Sequence, residues 1–217
     1  IPTLMWTYIT GQIYSSPAVV DGMVFIGSYE NNRTYALNQS TGAFIWSYTL
    51  GGRVEWSSPA VAYGKVFIGS WDNKIYALNE VTGALIWAYP TGGVIRSSPA
   101  VADNVVFVGS GDGKVYAINQ VTGTLAWYYT TGSPVSFSSP AVADGMVFIG
   151  TVDGNVYALN QATGAKIWSY KTGATVYSSP AVAYGKVFVG SGDKQVYAFN
   201  EYTGALIWNY TTGSYVY

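Results

Sequence analysis

Short apolar runs alternate with polar turns along the whole chain, and the runs recur in sets of four. In one such set they cover residues 98–102, 105–110, 114–119 and 124–129, separated by Asp103-Asn104, Gly111-Asp112-Gly113 and Gln120-Val121-Thr122-Gly123. Runs of about six β-branched and aromatic residues, bounded by Gly, Asn and Asp, read as strands. Connections of two to four residues make each set an antiparallel meander. Pro99 stands at the start of its run, where a missing N–H is tolerated. Within the second run, Val105 and Phe107 point to the opposite side from Val106 and Val108, so both faces of the sheet are apolar. Such sheets must be covered on both sides, which neighbouring units achieve by stacking face to face. No segment shows a helical period, and essentially no helix is expected.

The sets are held in step by one motif. Ala36 to Trp46 reads A-x-N-x-x-T-G-x-x-x-W, and the pattern returns without a gap at Ala77 to Trp87, Ala117 to Trp127, Ala158 to Trp168 and Ala198 to Trp208. A fixed period near 40 residues means one supersecondary unit copied along the chain. The N-x-x-T-G segment is turn chemistry, since Asn bonds its own backbone and Gly allows positive φ. Radial stacking of such sheets gives a β-propeller. The expectation is therefore a single all-β domain over residues 1–217, with repeats at 15–56, 57–96, 97–137, 138–177 and 178–217. Each repeat forms one four-stranded blade. A partial repeat at 1–14 contains Leu4-Met5-Trp6-Thr7-Tyr8-Ile9-Thr10-Gly11, which matches the last strand of a blade. This surplus N-terminal strand is expected over residues 4–10, packed as an extra edge strand. The alternative is an arc cut from a larger ring, whose open blade edges would pair with a second copy of the chain.

Composition narrows the chemistry. Nearly half of the residues are apolar, 17% are aromatic and only 10% are charged, against about 25% charged in typical domains. A formal charge of −1, with Lys and Arg scattered singly, gives no case for nucleic acid or anionic membrane as partner. Cys and His are absent, which removes disulfides, thiolates, imidazole bases and most transition-metal sites. No apolar run reaches membrane-spanning length. The opening Ile1-Pro2 shows no signal-peptide pattern and reads as the start of a mature or trimmed product.

At the A-x-N-x-x-T-G-x-x-x-W stretches the sequence resembles the PQQ-like β-propeller repeat. That repeat occurs in quinoprotein alcohol and glucose dehydrogenases, in the outer-membrane assembly lipoprotein of Gram-negative bacteria, and in many archaeal and bacterial surface proteins. The family pattern is usually A-x-D-x-x-T-G-K-x-x-W. Here Asn38, Asn79, Asn119, Asn160 and Asn200 stand for the Asp, and Ala43, Ala84, Thr124, Ala165 and Ala205 for the Lys. The resemblance implies that Trp46, Trp87, Trp127, Trp168 and Trp208 are structural docks. Each would pack between the Ala of its own blade and the Thr-Gly peptide of a neighbour. Burying a ring of that size removes roughly 150–250 Å² from water, worth roughly 4–6 kcal/mol by area. Family propellers generally close with more than five blades.

The resemblance also raises quinone-dependent dehydrogenation, which needs a calcium ion on carboxylate and amide oxygens, a carboxylate base and long loops. Asp72, Asp112, Asp153 and Asp193 instead occupy one repeated hairpin turn, and Asp21, Asp103 and Asp144 another. Hairpin turns favour Asp for its backbone geometry. The Gly109–Gly113 run joins strand to strand, with no helix N-terminus to hold a phosphate. No catalytic, cofactor-binding or metal residue is assigned, and no cofactor is expected.

The copies differ in two places. Just before Ser-Ser-Pro stand Tyr14, Trp56, Arg96, Phe137 and Tyr177; just after the second strand stand Tyr29, Trp71, Gly111, Val152 and Gly192. With the innermost strand first, both sets fall on one rim. Loops drift while cores do not, which accounts for some of this. The functional reading is an aromatic contact rim of Tyr29, Arg53, Trp56, Trp71, Arg96, Phe137 and Tyr177. The favoured function is a non-catalytic scaffold for a protein partner or surface glycan, placed outside the cytoplasm or at the cell surface on composition. A carbohydrate- or small-ligand-binding module is the alternative, and a degenerate quinoprotein dehydrogenase the third reading.

Overall fold

The structure, a computed structural model, describes residues 4–216, and all of its regular elements are strands. Blade one is β1 (Ala18–Val20), β2 (Met23–Gly27), β3 (Arg33–Asn38) and β4 (Phe44–Thr49). Blade two is β5 (Ala60–Ala62), β6 (Lys65–Gly69), β7 (Lys74–Asn79) and β8 (Leu85–Pro90). Blade three is β9 (Ala100–Ala102), β10 (Val105–Gly109), β11 (Lys114–Asn119) and β12 (Leu125–Thr130). Blade four is β13 (Ala141–Ala143), β14 (Met146–Gly150), β15 (Asn155–Asn160) and β16 (Lys166–Lys171). Blade five is β17 (Ala181–Ala183), β18 (Lys186–Gly190), β19 (Gln195–Asn200) and β20 (Leu206–Thr211). Each blade pairs its strands in chain order and antiparallel, giving five four-stranded sheets. Among the described residues no helix is long and apolar enough to cross a membrane.

Turn chemistry fixes the register. Between the first two strands, Asp21-Gly22 and Asp103-Asn104 both take positive φ, as the two-residue type I′ hairpin demands. In the motif turn, the Asn38 side-chain oxygen accepts from the backbone N–H of Ser40 and Thr41 and from the Thr41 hydroxyl, at 2.9–3.0 Å. The same bonds recur at Asn79, Asn160 and Asn200. They leave Ala36 opposite Trp46 in the ladder, with a register shift just beyond.

The alternating apolar faces meet between blades. Phe25 and Trp46 of blade one pack with Val66, Ile68 and Leu78 of blade two. Equivalent cores join blades two and three, three and four, and four and five. Among the described residues, none joins blade five to blade one. Each indole reaches forward over the seam. The Nε1–H groups of Trp46, Trp87, Trp127 and Trp168 donate to the carbonyls of Glu80, Gln120, Gln161 and Glu201, at 2.7–3.0 Å. The ring lies on the motif glycine of the next blade: a Cβ on Gly83 would come 2.6 Å from Trp46, on a backbone already at φ 72°.

An inner belt runs along the same seams. The N–H of Ser16 donates to the hydroxyl of Ser58, Ser58 to Ser98, Ser98 to Ser139 and Ser139 to Ser179, each at 2.9–3.0 Å. No bond from Ser179 returns to Ser16 among the described residues. Trp208 departs from the expectation as well. It is 43% exposed and its indole makes no forward bond among the described residues. Among the described residues no core, indole bond or serine bond joins blade five to blade one.

The expected surplus strand is corrected. Residues 4–10 join no sheet. A Trp-type strand needs a third strand beside it, and every third strand is already paired on both edges. The segment lies on blade one instead. Trp6 Nε1 donates to the Gln39 carbonyl at 2.9 Å, and its ring covers Gly42. Tyr8 stacks on Phe44, and the Thr10 carbonyl accepts from Ser28 and Asn31. Trp6 thus stands where the indole of a preceding blade would stand.

Candidate functional site at the propeller mouth

Antiparallel topology sends the loop leading into each first strand and the turn after each second strand to the same end of the molecule. Backbone bonds clamp the two together, as between the Trp71 N–H and the Arg53 carbonyl at 3.0 Å. Side chains from blades far apart in the sequence therefore converge. Trp56, leading into blade two, meets Phe137, leading into blade four, with ring centroids 5.5 Å apart. Phe137 meets Tyr177 at 5.2 Å. On the other side, Tyr14 and Tyr29 meet edge to face at 5.1 Å.

Two guanidinium groups link these pairs. Arg53 lies 4.7 Å from the Tyr29 ring centre and 5.5 Å from that of Trp71. Arg96 lies 4.6 Å from Trp71 and 5.5 Å from Trp56. The sequence Tyr14, Tyr29, Arg53, Trp71, Arg96, Trp56, Phe137, Tyr177 is one unbroken run of ring and cation–π contacts. Each cation–π contact contributes about 0.5–1 kcal/mol where exposed and more where desolvated.

The run borders a cavity of about 470 Å³, lined by Tyr14, Ser16, Trp56, Ser58, Phe137 and Tyr177. Its walls are aromatic and its lining carries no charged group. Tyr14, Trp56 and Phe137 are 49%, 43% and 37% exposed, so an occupant would find rings rather than a closed wall. Trp56 also has φ 62°, alone among the five residues that precede Ser-Ser-Pro. A bulky residue in the left-handed region costs on the order of 1–3 kcal/mol and marks sites where geometry is held for a purpose.

Charge at the mouth is uneven. Arg96 is paired with Glu55, Nε to Oε2 at 3.2 Å. Arg53 donates to the Tyr29 hydroxyl and has no carboxylate partner among the described residues. The Trp71 indole N–H is buried without a partner among the described residues, and both guanidiniums approach its ring.

Seven residues expected at the rim thus share one surface, though not in one role. Trp56, Phe137 and Tyr177 line the cavity, while Tyr29, Arg53, Trp71 and Arg96 form the ladder beside it. Tyr14 completes the cavity wall, and only its place in the first variable set marked it beforehand. Ser16 and Ser58 escaped notice because they belong to the unvarying Ser-Ser-Pro strand, whose sameness reads as packing.

The carboxylates of the turns after each second strand are engaged in structural bonds. Tyr116 and Tyr197 donate to Asp112 and Asp193 at 2.5 Å, and Tyr76 donates to Asp72. Burial, and then that bond, push the phenol of Tyr197 up to about 12, and raise those of Tyr76 and Tyr116 as well. The N–H groups of Gly92 and Gly173, in the preceding blade, donate to the same carboxylates. Asp153 holds Thr151 and Lys171. Asp112 and Asp193 are thus struts between blades, whereas Asp72 and Asp153 bond within their own blade, and no group of three acidic side chains gathers among the described residues. This donor set does not fit a calcium-held quinone.

At the opposite end lies a hollow of about 540 Å³ between blades three and four, lined by Asp103, Val105, Gly145, Asn160, Gln161 and Ala162. Asp103 there is satisfied by the Gln161 amide at 2.9 Å. The hollow is a seam between blades.

The β-propeller family described as that of the beta-alanine-activating enzyme matches residues 12–217. The chain belongs to that family. Among solved structures, this family member is similar to BamB from Moraxella catarrhalis at 23% identity, with a TM-score of 0.80 over 92% of this chain and 62% of that one. It is similar to the computationally designed Ika8 protein at 20% identity, TM-score 0.84, over 94% and 63%. A europium-containing methanol dehydrogenase follows at 19% identity, TM-score 0.79, over 99% and 54%. These likenesses establish the PQQ-like propeller fold. The chain spans about three fifths of the length of the first two structures. No curated protein matches its sequence.

Proposed function

We propose that this propeller is a non-catalytic interaction scaffold that holds a protein partner at its mouth, outside the cytoplasm. The observation that carries the reading is the run of six aromatic and two arginine side chains around an uncharged cavity of about 470 Å³. Aromatic residues and Arg are the residue types that dominate protein contact energies. Exposed rings are costly in a chain with so little charge, so their gathering at one end calls for a reason. The engagement of every repeated Asp in turn and strut bonds supports a role without catalysis. Low charge and abundant Ser, Thr, Asn and Tyr support the extracytoplasmic setting.

Photo-crosslinking tests the proposal. Benzoylphenylalanine replaces Tyr14 at the mouth or Tyr184 at the opposite end, where the side chain is 94% exposed. The expected result is a discrete adduct in whole cells from the mouth position alone. Equal adducts from both positions, or adducts from Tyr184 only, would remove the mouth from consideration.

A further inference from the structure

We propose that the partner segment is a linear peptide with a large apolar side chain close to a carboxylate, the side chain entering the cavity and the carboxylate meeting Arg53. The proposal rests on the mouth being the contact surface, and it adds the chemistry of the occupant.

Three observations lead there. First, the cavity is walled by Tyr14, Trp56, Phe137 and Tyr177 with no charged lining. At about 470 Å³ it lies low in the range of ligand cavities, roughly 300–1,000 Å³. It admits side chains and excludes a folded domain. The rings meet at 51° and 55°, so they form walls around a compact apolar group rather than a flat shelf for a sugar ring.

Second, the two arginines are not equivalent. Glu55 neutralises Arg96. Arg53 is exposed, is flanked by the rings of Tyr29 and Trp71, and has no acid within ion-pair reach among the described residues. A guanidinium binds through its in-plane N–H groups. One of these is engaged by the Tyr29 hydroxyl, and the others match the paired oxygens of a carboxylate. The unpaired charge also argues against a cation as occupant, although four aromatic walls would otherwise suit one.

Third, the pocket and the charge adjoin. Tyr29 lies 4.7 Å from Arg53 and 5.1 Å from Tyr14, and Tyr14 lines the cavity. One residue therefore separates the guanidinium from the cavity wall, which suits a side chain and a carboxylate one or two residues apart on a single extended chain. A peptide meets both with its own spacing.

The test uses the full chain and defined probes, read by the intrinsic tryptophan signal and by calorimetry. The peptides are acetyl-Asp-Gly-Phe-amide, its Asn and Lys counterparts, and a glucuronate oligosaccharide. The expected result is binding of the Asp peptide about tenfold tighter than the Asn peptide at low salt, with the preference shrinking as salt screens it. Arg53→Gln should erase the Asp-over-Asn preference and leave the Phe contribution. Phe137→Ala should weaken both peptides alike, and Tyr184→Ala neither. Equal binding of Asp and Asn peptides, tighter binding of the Lys peptide or the oligosaccharide, or no binding of the Asp peptide at about millimolar concentration would overturn the proposal. If the peptides bind without regard to charge and Phe137→Ala still weakens them, the acidic class fails and the mouth survives. If Phe137→Ala changes nothing that binds, the mouth reading fails with it.

Discussion

At the scale of the residue, the same side chain has different worth according to whether a neighbour receives it. Trp46 is buried, bonded to the Glu80 carbonyl and seated on Gly83; Trp208 is 43% exposed. Trp46→Ala is expected to cost about 3–5 kcal/mol, as large aromatic truncations in cores do. Trp208→Ala should cost under about 1 kcal/mol, and denaturant melts of the two variants check the contrast. Two acidic residues carry a second prediction. Glu80 and Glu201 are buried at the seams, and burial, then Asp21 and Asp144 respectively, push their carboxyls above the ordinary value. The folded state therefore holds these protons to higher pH than the unfolded chain. Stability should fall as pH rises from the ordinary glutamate value to the raised one, and stay lower above it. Glu80→Gln should raise the melting temperature at neutral pH and flatten that fall, since Gln120 and Gln161 already occupy the equivalent place in blades three and four. A parent and variant with parallel pH profiles would show that Glu80 is not strained.

At the scale of the element, the blades were legible because local chemistry dictates them. Asn38 and its copies make the turn, paired positive-φ residues make the hairpins, and two-faced apolar strands demand neighbours. What local chemistry does not carry is whether a neighbour exists. Residues 4–10 have the sequence of a fourth strand and lie on blade one unpaired, because strand formation depends on a free edge elsewhere. The rim was legible as a set of varied positions, yet not as contacts. Trp56 and Phe137 are 81 residues apart in the sequence, and only the arrangement of blades brings them together. The serine belt offers a test of the seams as elements. Ser98→Ala leaves the Ser58 N–H without its acceptor and is expected to cost about 1–2 kcal/mol. Ser16 receives no such bond among the described residues, so Ser16→Ala should stay within about 0.5 kcal/mol. Equal losses would mean that the first and last blades do meet in solution.

At the scale of the whole molecule, the five blades are a rigid frame that carries loops from distant parts of the chain to one mouth. The frame is built from four sealed seams, each with an apolar core, an indole clasp and a serine bond. The opposite end and the outer strands hold turns and scattered apolar residues, whereas the mouth holds the cavity, the ladder beside it and Arg53, which has no carboxylate partner among the described residues. The central claim is that this mouth, rather than the propeller's sides, makes the contact. Titration of the partner recovered by crosslinking tests it most directly, comparing the parent with a Trp56→Ala/Phe137→Ala variant. Both rings are substantially exposed, so the variant should keep its fold, with a melting temperature within a few degrees of the parent. The account predicts that the dissociation constant rises at least about tenfold, the loss of one or two aromatic contacts at the centre of an interface. An unchanged dissociation constant in a folded double variant would contradict it.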